Sequence, residues 1–155
     1  MNISMKITTV AHDKKRFLPL LLLADEQESM IDRYLERGEL HVMRDPSGQA
    51  VAVAVVTDEG GSVCELKNLA VAPSWQRQGH GRRLVNYLCR RYSEAFHTMR
   101  VGTGESRQTT SFYQKNGFVY SHRVPDFFTL HYDHPIIEEG RQLKDMLYFE
   151  RKLRP

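Results

Sequence analysis

The segment from Leu66 to Leu84 limits the possible folds most strongly, because it joins a strand to a long helix through a glycine loop. A strand-like run ends at Val71, Pro73 stops it, and Gly79 and Gly81 lie where the next helix begins. Backbone N–H groups at a helix start lack partners and carry the positive end of the helix dipole, and glycines let a ligand approach them closely. The segment therefore predicts a phosphate-binding strand–loop–helix unit.

The spacing of this loop excludes two common phosphate-binding motifs. A dinucleotide-binding GxGxxG would need a third glycine where Leu84 stands, and no GxxxxGK[ST] string occurs in the chain. The remaining string, Gln76-Arg-Gln-Gly-His-Gly81, fits either a tight turn into the helix or a phosphate loop. Its position directly after a strand and a proline favours the phosphate loop. Three arginines near it would add charge for a polyanion, namely Arg77, Arg82 and Arg83.

Periodicity predicts a meander followed by alternating strands and helices. The predicted strands are Met5–Val10, Glu39–Arg44, Gln49–Thr57, Ser62–Val71, Thr98–Gly104, Phe118–Arg123 and Met146–Lys152. The predicted helices are Lys14–Ala24, Ser29–Arg37, Arg82–His97 and Arg107–Asn116. We expect Pro125–Lys144 to be a loop over the sheet. This order predicts one α/β (α+β) domain over residues 1–155, with a mixed, mostly antiparallel central sheet and helices on both faces.

The stretch from Glu65 to Phe118 resembles the GCN5-related N-acetyltransferase (GNAT) superfamily. The superfamily's pyrophosphate loop, (Q/R)xxGx(G/A), is matched by Gln76–Gly81, and its later aromatic-Tyr-x-(K/R)-x-Gly-Phe string is matched by Phe112–Phe118. Two ordered motifs with the expected strand between them argue against a chance match. The resemblance implies an acyl-CoA N-acyltransferase fold and transfer of the acetyl group of acetyl-CoA to an amine, by direct attack in a ternary complex and without a metal.

The resemblance also implies a set of residues that bind acetyl-CoA. Backbone groups of Leu69–Val71 would hold the pantetheine arm, with the Val71 N–H near the thioester carbonyl. Ser106 stands where many relatives have an asparagine that contacts this arm, so its hydroxyl would have to replace that amide. The full implied set is Leu69, Ala70, Val71, Gln76, Arg77, Gln78, Gly79, His80, Gly81, Arg82, Ser106 and Tyr113.

Two residues are the catalytic candidates under this resemblance. Tyr113 occupies the position of a general acid, and the alternative is a tyrosine that only packs against the cofactor. Glu65 matches a glutamate that acts as a base, often through water, and the alternative is an ordinary carboxylate paired with Lys67. Strict strand alternation predicts that Glu65 and Val71 share one face of their strand.

Pro125–Lys144 is predicted to form the wall of the acceptor site. Its aromatic and acidic residues suit a cationic amine with an apolar body, whether a small molecule or a peptide. The candidates are Phe127, Phe128, Glu138 and Glu139. The alternative is a solvated acidic loop that covers the sheet edge.

Other function classes are disfavoured by composition and spacing. The net charge of +3 gives no indication of nucleic acid, and the eight-residue apolar run Phe17–Ala24 is far short of the roughly 20 residues of a membrane span. Cys64 and Cys89 form no disulfide framework, so a cytoplasmic location is the simplest, and His131-x-x-His134 is too sparse for a metal site. A non-catalytic acyl-CoA sensor of the same fold stays open, as does a homodimer.

Overall fold

The computed structural model describes residues 4–154. Its strands are β1 (Lys6–Val10), β2 (Glu39–Arg44), β3 (Ala50–Asp58), β4 (Val63–Val71), β5 (Thr98–Thr103), β6 (Val119–Val124), β7 (Ile137–Glu138), β8 (Arg141–Gln142) and β9 (Met146–Lys152). Its α-helices are α1 (Leu18–Ala24), α2 (Glu28–Ile31), α3 (His80–Tyr92), α4 (Arg107–Lys115) and α5 (Phe127–His131). Short 3₁₀ turns at Lys14–Phe17 and Pro73–Trp75 precede α1 and α3.

Seven of the described strands form one sheet in the order β1-β2-β3-β4-β5-β9-β6. Neighbours are antiparallel except β4 and β5, which run parallel because the crossover helix α3 connects them. The mixed, mostly antiparallel sheet is therefore confirmed. The strands β7 and β8 form a separate hairpin.

Helices cover both faces of the sheet, as predicted. On one face, α3 and α4 bury residues such as Leu84, Leu88 and Tyr113 against Ala54 and Val56 of β3. On the opposite face, α1, α2 and the turns after them bury a second set, which includes Leu21, Ile31, Leu35, Val53 and Val55. The two clusters alternate along β3, as expected for a strand that is buried on both sides.

Two predicted helices are shorter than expected. The helix predicted over Ser29–Arg37 is α-helical only in α2, and turns follow in which the Arg33 N–H donates to the Met30 carbonyl and the Tyr34 N–H to the Ile31 carbonyl. The buried Lys14 ammonium satisfies carbonyls at the end of these turns. That ammonium donates to the carbonyl oxygens of Leu35 (3.0 Å), Glu36 (3.2 Å) and Gly38 (2.7 Å). The helix predicted over Arg82–His97 ends at Tyr92, where the Ser93 hydroxyl donates to the Arg90 carbonyl (2.7 Å).

The prediction that Pro125–Lys144 is a loop was wrong in part. The segment contains α5 and the β7–β8 hairpin, and it has a small core of its own formed by Phe128, Ile136 and Leu143. This core lies against Gly104, where an added Cβ would collide with the Leu143 side chain. The segment is therefore a packed layer over the end of β5.

Candidate active site

The sheet opens between β4 and β5. Parallel pairing runs from Val63 opposite Thr98 to Leu66 opposite Val101, although β4 continues for five more residues to Val71. The pairing ends at a β-bulge, since Leu66 and Asn68 lie opposite the consecutive residues Val56 and Val55 of β3 and Lys67 is the extra residue. A bulge bends its strand and increases the twist. It therefore turns β4 away from β5 and leaves a gap from Lys67 onward.

Backbone groups of Leu69 and Val71 point into this gap. The Ala72 N–H donates to the Val51 carbonyl (2.8 Å), which makes these two residues a hydrogen-bonded pair of the β3–β4 ladder. Bonded and non-bonded pairs alternate in an antiparallel ladder, so the N–H and C=O of Val71, and again of Leu69, face the β5 side. The Gln76 side-chain amide donates to the Val71 carbonyl (2.9 Å). This bond occupies the carbonyl and leaves the Val71 N–H as the backbone group that is open to the gap.

The prediction that Glu65 and Val71 share a face was wrong, and the bulge is the reason. Glu65 lies opposite Thr57, whereas Val71 lies opposite Ala52. Thr57 and Ala52 are an odd number of residues apart on β3, so their side chains lie on opposite faces. Glu65 consequently faces the side of α1 and α2, while Val71 packs on the side of α3.

The glycine loop joins β4 to α3, as the sequence predicts. Gly79 has a φ of +83° at the N-cap of α3, and an added Cβ there would meet nothing, so the backbone conformation alone requires glycine. A Cβ at Gly81 would lie 3.3 Å from the Phe112 ring, so this glycine lets the start of α3 pack closely on α4. The first amides of this 13-residue helix lack partners within the helix. Gln76, Arg77, Gln78 and Gly79 of the loop are solvent-exposed, and so is Arg82 in the first turn of α3.

His80, between the two glycines of the loop, is held inside the protein rather than exposed to solvent. It is buried, and its ring packs edge-on against Trp75 at a centroid distance of 5.6 Å. Its Nδ1 has no hydrogen-bond partner within the described part of the chain. Burial, with a smaller contribution from Arg83, lowers the pKa of this imidazole. The Trp75 ring therefore packs against the start of α3.

Tyr113 lies on α4 and lines the gap. Its ring contacts Phe112 and Phe118 edge-on at centroid distances of 5.1 and 5.5 Å, which fixes its orientation. The residue is buried, and burial raises the pKa of its phenol above the ordinary value of 10. The phenol therefore stays protonated around neutral pH.

Glu65 is a buried carboxylate that is held by two cations. Its Oε1 accepts from Arg100 Nε (2.9 Å) and Nη2 (2.8 Å), and its Oε2 lies 2.9 Å from Lys67 Nζ. The contact with Lys67 is the pairing given above as the alternative to a catalytic role of Glu65. The role of Glu65 as a base stays a prediction.

A cavity of about 290 Å³ lies at the opening of the sheet. We call it the central cavity. The polar and aromatic residues that line it are Asp25, Glu26, Lys67, Asn68, Thr103, Thr109, Tyr113, Phe128, Tyr132 and Glu138. A smaller cavity of about 190 Å³ continues from it, shares Asp25, Lys67 and Tyr132, and is also lined by Glu65 and Phe127. The segment after β6 therefore forms one wall of the cavity, and its role as the wall of the acceptor site stays a prediction.

Asp25 is one of the central-cavity residues that sequence reasoning missed, together with Glu26 and Asn68. It is half-buried between α1 and α2, and each of its oxygens accepts one phenol proton, Oδ2 from Tyr34 (2.9 Å) and Oδ1 from Tyr132 (2.7 Å). Burial is the main cause that raises the pKa of this carboxyl. Asn68 donates to the Tyr34 oxygen (3.1 Å), while its own Oδ1 is buried without a partner among residues 4–154. The only signal in the sequence is an acidic residue directly after an apolar helix.

Three contacts hold the segment after α5 against the connection between α1 and α2. The Tyr132 hydroxyl donates to Asp25, and the Asp133 N–H donates to the Gln27 carbonyl oxygen Oε1 (2.9 Å). His134 lies between Glu26 (3.2 Å) and Asp133 (2.6 Å), and these carboxylates raise its pKa. These contacts join chain segments more than 100 residues apart and enclose the central cavity beside Asp25 and Tyr132.

The predicted acceptor carboxylates Glu138 and Glu139 occupy different places. Glu138 lines the central cavity, and burial raises its pKa. Glu139 instead accepts from the Ser106 hydroxyl (3.2 Å) and from the Gln108 N–H (3.0 Å) at the start of α4. Ser106 is buried on Glu139 and does not line the central cavity, so its contact with a pantetheine arm stays a prediction.

Other sequence candidates have structural roles or no observed role. Cys64 and Cys89 are buried, and burial raises the pKa of the Cys64 thiol to about 12. Within residues 4–154, no group of three or more His, Cys, Asp or Glu side chains is arranged to hold a metal ion. No helix in the same range is long and apolar enough to cross a bilayer.

A sheet that splits between two parallel strands, with a glycine loop leading into the crossover helix beside the split, agrees with the acyl-CoA N-acyltransferase fold that the sequence resemblance implies. Comparison with known proteins agrees with this fold. The family model of the acetyltransferase (GNAT) domain matches residues 36–120, and the chain belongs to this family.

Relatives of known name support the same assignment. The N-acetyltransferase YvbK of Bacillus subtilis (strain 168) is 37% identical over 130 residues, which are 83% of each chain. A GNAT family acetyltransferase from Elizabethkingia anophelis, solved with acetyl-CoA bound, superposes with a TM-score of 0.90 at 29% identity, over 96% of this chain and 97% of that one. A Bacillus subtilis acetyltransferase in complex with CoA gives a TM-score of 0.88 at 32% identity, over 96% and 99%.

Proposed function

We propose that this protein transfers the acetyl group of acetyl-CoA to a cationic amine by direct attack in a ternary complex. The observation that carries the proposal is that Tyr113 and the carboxylates Asp25 and Glu138 line one cavity at the split of the sheet. A proton donor and an ammonium-binding environment therefore meet where β4 leaves its backbone amides unpaired by β5. The family assignment supports acetyl-CoA as the co-substrate.

The residues around the split suit acetyl-CoA in shape and charge. The unpaired amides at the start of α3 and the exposed Arg77 and Arg82 suit the pyrophosphate, since helix starts favour anions. Leu69 and Val71 offer backbone groups to the amide-containing pantetheine arm. Acetyl-CoA supplies a thioester carbonyl, and the Val71 N–H would donate to its oxygen as negative charge develops there.

Tyr113 would donate the proton that the departing thiolate requires. The hydroxyl is the polar end of a side chain whose ring is fixed by Phe112 and Phe118. Its hydroxyl carries a proton around neutral pH and would donate it as the C–S bond breaks and negative charge develops on sulfur. The alternative, a tyrosine that only packs, leaves the rate of thiolate departure unchanged on replacement by phenylalanine.

The charges of the central cavity favour a cationic acceptor. Asp25, Glu26 and Glu138 come from two separate segments of the chain and line the same space. Lys67, which also lines it, is paired with Glu65 at 2.9 Å. The aromatic ring of Phe128 supplies an apolar wall and a π-face for an ammonium group, worth about 0.5–2 kcal/mol.

Release of free CoA thiol from acetyl-CoA, measured with a panel of amines, tests this function. We expect saturable release with 1,4-diaminobutane and polyamines. Amines of similar size whose remaining groups are uncharged or carry a carboxylate should have a lower kcat/KM. Equal rates for acidic and cationic amines would overturn the acceptor class. Tight acetyl-CoA binding without amine-dependent release would indicate the acyl-CoA sensor instead.

A further inference from the structure

Asp25 differs from the other carboxylates of the central cavity because neutral hydrogen-bond donors hold both of its oxygens. Two phenols, from Tyr34 and Tyr132, fix its two oxygens at 2.9 and 2.7 Å. Neither phenol supplies a compensating charge, unlike the cations on Glu65. Asp25 is thus a half-buried carboxylate with fixed orientation, and the described structure places no ion pair on it.

We propose that Asp25 contacts the acceptor amine and accepts the proton that its ammonium group must lose before the nitrogen can attack. The inference rests on the proposed function, and it assigns a step that Glu65 is poorly placed to perform. Both oxygens of Glu65 are engaged by Arg100 and Lys67. An ammonium group approaching Glu65 would meet these two cations, whereas Asp25 is held only by neutral phenols.

The proton transfers balance as follows. The ammonium gives one proton to the Asp25 carboxylate, and the neutral nitrogen forms a bond to the thioester carbonyl carbon. The C–S bond breaks, and the thiolate takes the Tyr113 phenol proton. The nitrogen then loses a second proton, which returns to the Tyr113 phenolate through water, and Asp25 releases its proton to solvent. The products are the amide, CoA thiol and one proton.

Charged and titratable groups from each neighbouring segment face Asp25. Tyr34, after α2, and Tyr132, after α5, donate to it. The other carboxylates around the two connected cavities are Glu26, Glu65 and Glu138, and the cations are Arg33 and Lys67, with His134 held against Glu26. Burial outweighs the two phenol bonds and raises the pKa of Asp25, which brings the carboxylate closer to the range of a useful base.

The contacts of Asp25 also suggest a purely structural alternative. Its bond to Tyr132 holds the segment after α5 in place, so the role of Asp25 could be only structural. Tyr132→Phe removes this bond and keeps the carboxylate. Asp25→Asn keeps a side chain of the same shape and removes the base. The two variants therefore distinguish a structural role of Asp25 from its role as the proton acceptor.

The pH profile of kcat/KM for 1,4-diaminobutane tests the proposal. In the wild type we expect a plateau around neutral pH, because the enzyme binds the ammonium form and deprotonates it. Asp25→Asn can use only the amine that is already neutral, so kcat/KM should fall about 100-fold or more at pH 7 and rise about tenfold per pH unit toward the amine pKa. Tyr132→Phe should keep the plateau.

Several outcomes would overturn the proposal. An unchanged plateau in Asp25→Asn would exclude Asp25 as the base, and a rising profile in Glu65→Gln with a plateau in Asp25→Asn would assign the step to Glu65. Acetyl-CoA affinity and the unfolding midpoint of each variant are measured alongside. If Asp25→Asn does not fold, Asp25→Glu serves instead: a plateau with lowered kcat supports a carboxylate base, and a rising profile contradicts it. Absence of turnover on any amine by the wild type would overturn the proposed function as well.

Discussion

The Glu139 carboxylate binds the Ser106 hydroxyl and caps the start of helix α4. Glu139 Oε1 accepts from the Ser106 hydroxyl at 3.2 Å and from the Gln108 N–H at 3.0 Å, and these bonds lower the pKa of the carboxyl. The β7–β8 hairpin is thus joined to the start of the helix that carries Tyr113. The neighbouring residue, Glu138, points into the central cavity. Adjacent carboxylates therefore have separate roles, one for α4 and one for the cavity.

Single charge removals should separate these two roles. We expect Glu138→Gln to raise KM for 1,4-diaminobutane about 5- to 10-fold, because about 1 kcal/mol of attraction for the ammonium is lost. Glu139→Gln should leave that KM unchanged and lower the unfolding midpoint slightly, because a helix start favours a negative charge. Steady-state kinetics and urea unfolding of both variants provide the check. An equal rise in KM for both would show that the hairpin binds the amine as a unit.

The sequence predicts the sheet, the helices on both faces and the glycine loop because these depend on local periodicity and spacing. The residue at which the sheet splits could not be predicted, since it depends on a bulge at Lys67 that hydrophobic alternation conceals. That bulge also reverses the side on which Glu65 lies. Asp25 could not be predicted because its partner Tyr132 is 107 residues away in the chain. Contacts between distant segments determine the acceptor side of the cavity, whereas a contiguous motif determines the cofactor side.

Substitution of Gly79 should weaken acetyl-CoA binding beyond the cost of its backbone conformation. Gly60, in the β3–β4 turn, is a matched control, because it has a φ of +81° and, like Gly79, has nothing near an added Cβ. We expect Gly79→Val and Gly60→Val to lower the unfolding midpoint similarly. Only Gly79→Val should raise Kd for acetyl-CoA in calorimetry, because its side chain blocks the amides at the start of α3. Equal affinity in both folded variants would place the pyrophosphate elsewhere.

Replacement of Tyr113 by phenylalanine should slow the chemical step. The packing against Phe112 and Phe118 is kept, so KM for acetyl-CoA should stay close to the wild-type value. We expect kcat to fall about 10²–10⁴-fold, because proton donation contributes only as the thiolate leaves. Tyr120→Phe, on the exposed strand β6, is the control and should retain full kcat. A wild-type kcat in Tyr113→Phe would reduce Tyr113 to a packing residue.

Buried His41 should make the protein less stable in mild acid. Its Nδ1 lies 3.1 Å from the Thr9 hydroxyl and its Nε2 lies 2.6 Å from the Tyr92 hydroxyl, and burial lowers its pKa to about 4. The unfolded chain, with a histidine pKa of about 6.5, binds the proton more readily, so the free energy of unfolding should fall as pH drops from about 6.5 to about 4. The fall attributable to His41 is at most about 3 kcal/mol.

Urea unfolding between pH 4 and pH 7.5 measures this dependence. His41→Gln should flatten the fall in stability over that range, whereas His97→Gln, at an exposed position, should retain it. An equally steep fall in His41→Gln would assign the acid sensitivity to other groups.

The central claim is that acetyl transfer from acetyl-CoA to an amine occurs directly at the split of the sheet. The most direct measurement mixes excess protein with acetyl-CoA, with and without 1,4-diaminobutane, and follows free thiol and the mass of amine and protein. The account predicts thiol release only when the amine is present, an equal amount of acetylated amine, and an unmodified protein chain. Thiol release without amine together with an acetylated protein, or no amine-dependent release from bound acetyl-CoA, would contradict it.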